Sequence, residues 1–161
     1  MNKKCTVEVL TPDFKGDKLA LKRVFDSRPD IFSHNVECVE RISKAVRAQA
    51  NWKRSLDVLK SSMHYGLRTK TGMMVGLGEQ ENEVKNTMRQ VVDLGVQIFT
   101  IGQYLQPTKN HLPVIDYIPK EQFEEYKQYG YSIGFKVVES GPLVRSSYHA
   151  DEQARMVFNN G

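Results

Sequence analysis

Apolar positions along the chain follow two alternating rhythms. Short β-branched or apolar runs, read as strands, lie at residues 6–10, 31–36, 73–77 and 98–101, and from Phe135 to Ser140. Between them the spacing becomes helical: Leu21, Val24 and Phe25; Trp52, Leu56, Leu59 and Met63; Val84, Met88 and Val91; then Phe123 with Tyr126. Pro29 bounds the first of these helices and Gly95 ends the third. Strand–helix alternation predicts parallel strands joined by right-handed crossovers. A complete eight-fold barrel needs roughly 250 residues, and this chain has 161. The expected fold is therefore α/β, a partial parallel (β/α) barrel of about five strand–helix units. Residues 1–161 are read as a single partial domain, with 141–161 its terminal motif and tail. Such an arc leaves an edge strand uncovered, and Val7 and Val9 are the residues expected to be exposed there.

Polar residues gather where strands end. Thr11-Pro12-Asp13, His34-Asn35 with Glu37, Gly76-Leu77-Gly78-Glu79, Gln103-Tyr104 with Gln106, and Ser140 to His149 each follow a strand. In a parallel sheet all these points share one edge, where ligands bind. The last cluster, Arg145-Ser146-Ser147-Tyr148-His149, puts a guanidinium, two hydroxyls, a phenol and an imidazole after a Gly-Pro turn. The plainer account is an arginine paired with a surface carboxylate and serines capping a helix.

Composition narrows the partners. The chain is 40% hydrophobic and 26% charged, with no apolar run long enough to span a membrane. Its N-terminus carries lysines without the apolar core of a secretory signal. The net charge of +4 is scattered, which suits mild steering toward acidic partners and no nucleic-acid footprint. Cys5 and Cys38 form neither a C-x-x-C pair nor a disulfide framework, and a reducing compartment fits.

Gly72-Met73-Met74-Val75-Gly76-Leu77-Gly78-Glu79 places glycines where strand turns to helix, so a flat ligand can approach the backbone. A dinucleotide fingerprint is excluded. Glu81 stands where its third glycine is due, and Glu79 with Glu81 would repel a pyrophosphate at the helix start. An uncharged adenine or a cationic sulfonium suits that start better. The alternative is a tight strand–helix turn with Glu79 in the first helical turn.

These stretches together resemble lipoyl synthase, a radical enzyme family using S-adenosylmethionine. Val7-Glu8-Val9-Leu10-Thr11-Pro12-Asp13-Phe14, His34-Asn35-Val36-Glu37, Thr69-Lys70-Thr71-Gly72, the glycine stretch, Thr100 to Thr108, His111-Leu112-Pro113-Val114 and Gly141 to Ala150 carry the resemblance. The glycine stretch is similar to the family's G-x-I-x-G-x-x-E adenine element, with Met74 in the isoleucine place. The family's C-x-x-x-C-x-x-C run and its second set of three cysteines have no counterpart, so the resemblance is to a C-terminal half, and Met1 is expected to be internal to a longer protein. Cys38 replaces a usual threonine and is read as a small buried thiol.

The resemblance implies S-adenosylmethionine and two 4Fe-4S clusters in the intact enzyme, which inserts two sulfur atoms into an octanoyl group on a carrier-domain lysine. It implies Ser147, with Ser146 second, as an oxygen ligand of an auxiliary cluster, and Arg145 beside it. Asn35 and Glu37 would serve ribose hydroxyls, Gly72, Gly76 and Glu79 the adenine, and Gln103 and Tyr104 would close the site. His34, His111 and His149 are read as ordinary hydrogen-bonding or surface residues. The implied partners are the octanoylated lipoyl-carrier domain and a missing N-terminal half, with neither nucleic acid nor membrane, in the cytoplasm or the mitochondrial matrix. Alone, the chain is expected to be inactive. The alternative is a non-catalytic module or split-enzyme half that binds the acylated carrier domain or a separate N-terminal half.

Overall fold

The alternation folds into one parallel sheet whose strands pair in chain order, as sequential right-handed crossovers require. In a computed structural model describing residues 5–159, the strands are β1 (Glu8–Leu10), β2 (Ile31–Ser33), β3 (Thr69–Val75), β4 (Ile98–Gln103) and β5 (Val137–Gly141). The helices are α1 (Lys18–Asp26), α2 (Glu40–Val46), α3 (Trp52–His64), α4 (Glu81–Asp93), α5 (Lys120–Ile133) and α6 (Ala150–Asn159). The basic pair Lys3-Lys4 and the other residues of 1–4 and 160–161 lie outside the described residues. The sheet is not closed: β1 and β5 are its two edges. This is the partial α/β barrel expected from the sequence.

Strand period divides the sheet into two faces. Met73, Val75, Phe99, Ile101 and Val138 face outward into the main core, against Leu59, Val84, Met88, Val91, Phe123 and Tyr126 of the helices. A smaller cluster packs Phe32 on Leu21, Phe25 and Val58. On the inner face, Ile31, Ile98 and Val137 meet Ala154 and Val157 of α6, while the Arg68 guanidinium lies 4.2 Å over the Phe158 ring. The tail helix thus runs back along the inner face toward the N-terminal ends of the strands.

Several boundaries differ from the sequence reading. β3 begins at Thr69 and stops at Val75, earlier than the expected 73–77 at both ends. Its polar start is buried because each group finds a partner: the Thr69 hydroxyl is 2.7 Å from that of Ser62, and Lys70 Nζ is 2.9 Å from Glu8. β2 ends at Ser33, not Val36, with one further bridge from Glu37 to Met73. β1 starts at Glu8. β4 continues to Gln103 and β5 to Gly141. Helices α2 and α6 were not anticipated, although Val39, Ile42 and Val46, and Ala150, Ala154, Val157 and Phe158, have helical spacing. Val7 is 49% exposed, as expected. Val9 is not: it packs against the Phe25–Phe32 cluster, and Leu10, on the opposite face, is exposed instead.

The Lys70 side chain is fully buried and crosses β2 to reach Glu8 on the edge strand. Removing one partner of such a pair leaves an uncompensated charge inside the protein. Glu8→Gln is expected to lower the unfolding free energy by on the order of 3 kcal/mol, read from denaturant melts. Adding Lys70→Met should recover most of that loss. Equal melts for parent and Glu8→Gln would show that another group serves the ammonium.

Candidate functional site

Three glycines at the C-terminal edge have no room for a side chain. A Cβ on Gly72 would lie 2.3 Å from Thr100 Oγ1 and 3.2 Å from Asn35 Oδ1. On Gly102 it would lie 2.2 Å from the Val144 carbonyl oxygen, and on Gly76 2.2 Å from Gln103 Nε2. Gly76 also has φ +102, which favours glycine. Close backbone approach therefore builds this edge. It brings the segment after β5 against β4 and leaves a cavity of about 130 Å³ among Asn35, Glu37, Gly72, Thr100, Arg145 and Ser146. A neighbouring cavity of about 390 Å³ shares Glu37 and Met74 with the first and is walled by Val46, Tyr104, Leu105 and Leu112.

Asn35, which lines the smaller cavity, has its Oδ1 buried without a hydrogen-bond partner. Glu37 sits in the left-handed region at φ +70, with its N–H donating to the Gly72 carbonyl and its own carbonyl accepting from Met74 N–H at 2.8 Å. Burial pushes its carboxyl above the ordinary range, against the opposing charge of Arg47.

Other candidates are occupied within the protein. The Glu79 carboxylate accepts from Gly76 N–H at 2.5 Å and Leu77 N–H at 2.9 Å, so it closes the glycine turn. It stands ahead of the helix, not in its first turn, because α4 begins at Glu81 behind a Gln80–Glu83 capping box. Arg41 forks onto Glu83 and also donates to the Gly78 carbonyl, tying α2 to the same turn. This pair and the Gln80 N–H hold the Glu83 carboxyl down to about 2. Gln103 donates to the carbonyls of Tyr104 and Asp116 and accepts from Ile118 N–H. The Tyr104 hydroxyl donates to the Leu112 carbonyl. Both residues clamp the loop after β4 that walls the larger cavity.

In the terminal motif, Arg145 Nη1 donates to the Val144 carbonyl at 2.7 Å and meets no carboxylate among the described residues. Ser146 lines the smaller cavity; Ser147 is exposed beside it. The histidines have local partners: His34 Nδ1 lies 2.9 Å from the Thr11 carbonyl oxygen, His111 Nδ1 2.9 Å from Thr108 Oγ1, and His149 Nδ1 2.7 Å from Glu152. Thr100, Gly102 and Arg47 also border the two cavities and escaped the sequence reading. Gly72 and Gly102 each lie two residues from another inward position in paired strands, and that period-two pattern was the available signal.

A family model described as the Radical SAM superfamily matches residues 1–91. The chain belongs to that superfamily. It is 58% identical over 151 residues to the lipoyl synthase of Rubrobacter xylanophilus, covering 92% of this chain and 47% of that protein. It is 51% identical over 159 residues to that of Caldicellulosiruptor saccharolyticus, covering 98% and 56%. A relative named lipoyl synthase, mitochondrial, from Nematostella vectensis is 50% identical over 94% of this chain and 53% of its own length. The resemblance read from the motifs thus extends over nearly all of the chain, which spans about half the length of the curated relatives it matches. No helix among the described residues is long and apolar enough to cross a membrane.

Membership implies S-adenosylmethionine and iron–sulfur clusters in general terms. The residues fit the first: a partnerless amide oxygen and a half-buried carboxylate lining one cavity suit the hydroxyls of a nucleoside. They do not fit a cluster. Among the described residues no three His, Cys, Asp or Glu side chains are placed to hold a metal. Cys5 is exposed, and Cys38 is buried with its thiol pushed up to about 12 by burial, far from the thiolate that binds iron. Reconstitution of this chain alone with iron and sulfide is expected to yield no four-iron cluster that survives gel filtration. Stoichiometric iron and sulfide with a matching absorption band would overturn this.

Proposed function

We propose that this chain supplies the S-adenosylmethionine-binding edge and the terminal serine motif of a lipoyl synthase, which inserts two sulfur atoms into an octanoyl group carried on a protein lysine. The convergence of Asn35, Glu37, Gly72 and the Arg145–Ser146 turn on one cavity carries this reading, together with relatives of that name. When bound, S-adenosylmethionine would supply the radical chemistry, given an electron from a reducing cluster held outside this chain. Asn35 and Glu37 accept from the ribose hydroxyls, and Gly72 lets the nucleoside lie against the strand backbone. Glu79 shapes the Gly76–Leu77 turn facing the adenine, while Gln103 and Tyr104 hold the loop that walls it. Ser147 is the single ligand this chain offers to an auxiliary cluster otherwise held outside it, with Arg145 alongside. The octanoylated carrier domain and the remaining half of the enzyme are the partners this reading requires, in the cytoplasm or the mitochondrial matrix.

The roles separate in a full-length context, with this chain joined to a compatible N-terminal half. Ser147→Ala is expected to spare S-adenosylmethionine cleavage and abolish sulfur insertion. Glu79→Ala removes two hydrogen bonds from the glycine turn and is expected to weaken S-adenosylmethionine binding by roughly tenfold to a hundredfold. Product assays and binding isotherms distinguish the two. Equal loss of cleavage in both variants, or lipoyl product at the parent rate from Ser147→Ala, would overturn the assignment.

A further inference from the structure

Arg47 is a charge that the site leaves unexplained. It lies in the connection between α2 and α3, half-buried, and makes no ion pair among the described residues. The nearby carboxylate of Asp13 is already held by Arg54 at 2.7 Å. Glu37 approaches from the β2–α2 connection, its backbone fixed by the bridge to Met73. Its carboxylate accepts no hydrogen bond from the described residues. Both side chains line the cavity of about 390 Å³, and both border the narrow cleft beside Cys38 and Ser55. A carboxylate without donors, partly withdrawn from water, disfavours its charged form unless a cation stands near. A guanidinium keeps its charge at every working pH.

We infer that Arg47 is a positioning residue that keeps Glu37 ionised for the ribose hydroxyls of bound S-adenosylmethionine, acting through Glu37 without touching the ligand. This rests on the proposed reading of the site. The other titratable groups around Glu37 are engaged or neutral. The Cys38 thiol is buried and protonated, the Tyr104 hydroxyl donates to Leu112, and His111 is turned to Thr108. Arg145 is bonded to the Val144 carbonyl, and the Glu79 carboxylate to the Gly76 and Leu77 N–H groups. Burial raises the Glu37 carboxyl, and Arg47 is the charge that opposes it. Without the guanidinium, burial acts unopposed and the midpoint rises. The carboxyl then protonates earlier as pH falls, so binding through its ionised form fails at a higher pH than in the parent.

The test uses the full 161-residue chain. The Glu37 carboxyl carbon is titrated by NMR in the parent, Arg47→Gln and Arg47→Lys, and S-adenosylmethionine binding is measured by calorimetry from about pH 5 to about pH 8. Arg47→Gln is expected to raise the Glu37 midpoint and to move the acid limb of the affinity profile to higher pH with it. Arg47→Lys, which keeps the charge, should stay near the parent in both. An unchanged midpoint in Arg47→Gln overturns the inference, and so does an affinity lost equally at every pH, which marks direct contact with the ligand. If the parent binds no S-adenosylmethionine, the reading of the site falls, while the carboxyl titration still decides the role of Arg47. Should amide spectra show Arg47→Gln unfolded, Arg47→Met, which keeps the aliphatic stem, replaces it in the titration.

Discussion

A lysine ammonium sealed from water must have a carboxylate, and that requirement ties the edge of this sheet to its middle. Strand β1 contributes three residues of ladder, too few to hold an edge by backbone pairing alone. Glu8 adds a contact across β2 to Lys70, so the strand is anchored to β3 by charge as well as by hydrogen bonds. The chain leaving β1 is held in turn: Thr11 N–H donates to the Ser33 carbonyl, the Thr11 carbonyl faces His34, and Asp13 receives Arg54 from α3. His34 is thereby fixed at the end of β2, immediately before Asn35 and Glu37. The pair at one end of the strands therefore helps set the residues at the other.

At the site end the scaffold is backbone with side-chain locks around it. Glycines at 72, 76 and 102 allow segments to touch, while Glu79, Gln103 and the Arg41–Glu83 fork hold the loops that touch them. Two groups without internal partners, Asn35 Oδ1 and the Glu37 carboxylate, face the cavity. Such a division suits recognition: the engaged residues give shape, and the unengaged ones give hydrogen bonds to whatever enters.

Strand order, helix spacing and the meeting of Asn35, Glu37, Gly72 and Arg145 at one edge were legible because they depend on period and topology. The start of β3 was not, because Thr69, Lys70 and Thr71 look polar until Ser62 and Glu8 are found beside them. The exposure of Val9 was misjudged for a related reason: an edge strand still has a helix on its outer face, and Phe25 and Phe32 reach it. Glu79, Gln103 and Tyr104 were visible as polar residues at strand ends, but spacing cannot tell a side chain that meets a ligand from one that bonds its own backbone. Arg47 was hidden because it belongs to a loop between two helices, one of them unanticipated, with no strand end to mark it.

The tail helix α6 leaves the Arg145–Ser147 turn and descends the inner face until Ala154 and Val157 rest on Ile31, Ile98 and Val137. It covers the inner face at the level where Lys70 and Ile98 pair across β3 and β4. The inner face is therefore filled at the N-terminal ends of the strands and left bare at the glycine rim. One short stretch of sequence, residues 141–159, thus supplies a wall of the cavity at one end of the strands and the packing that covers the other.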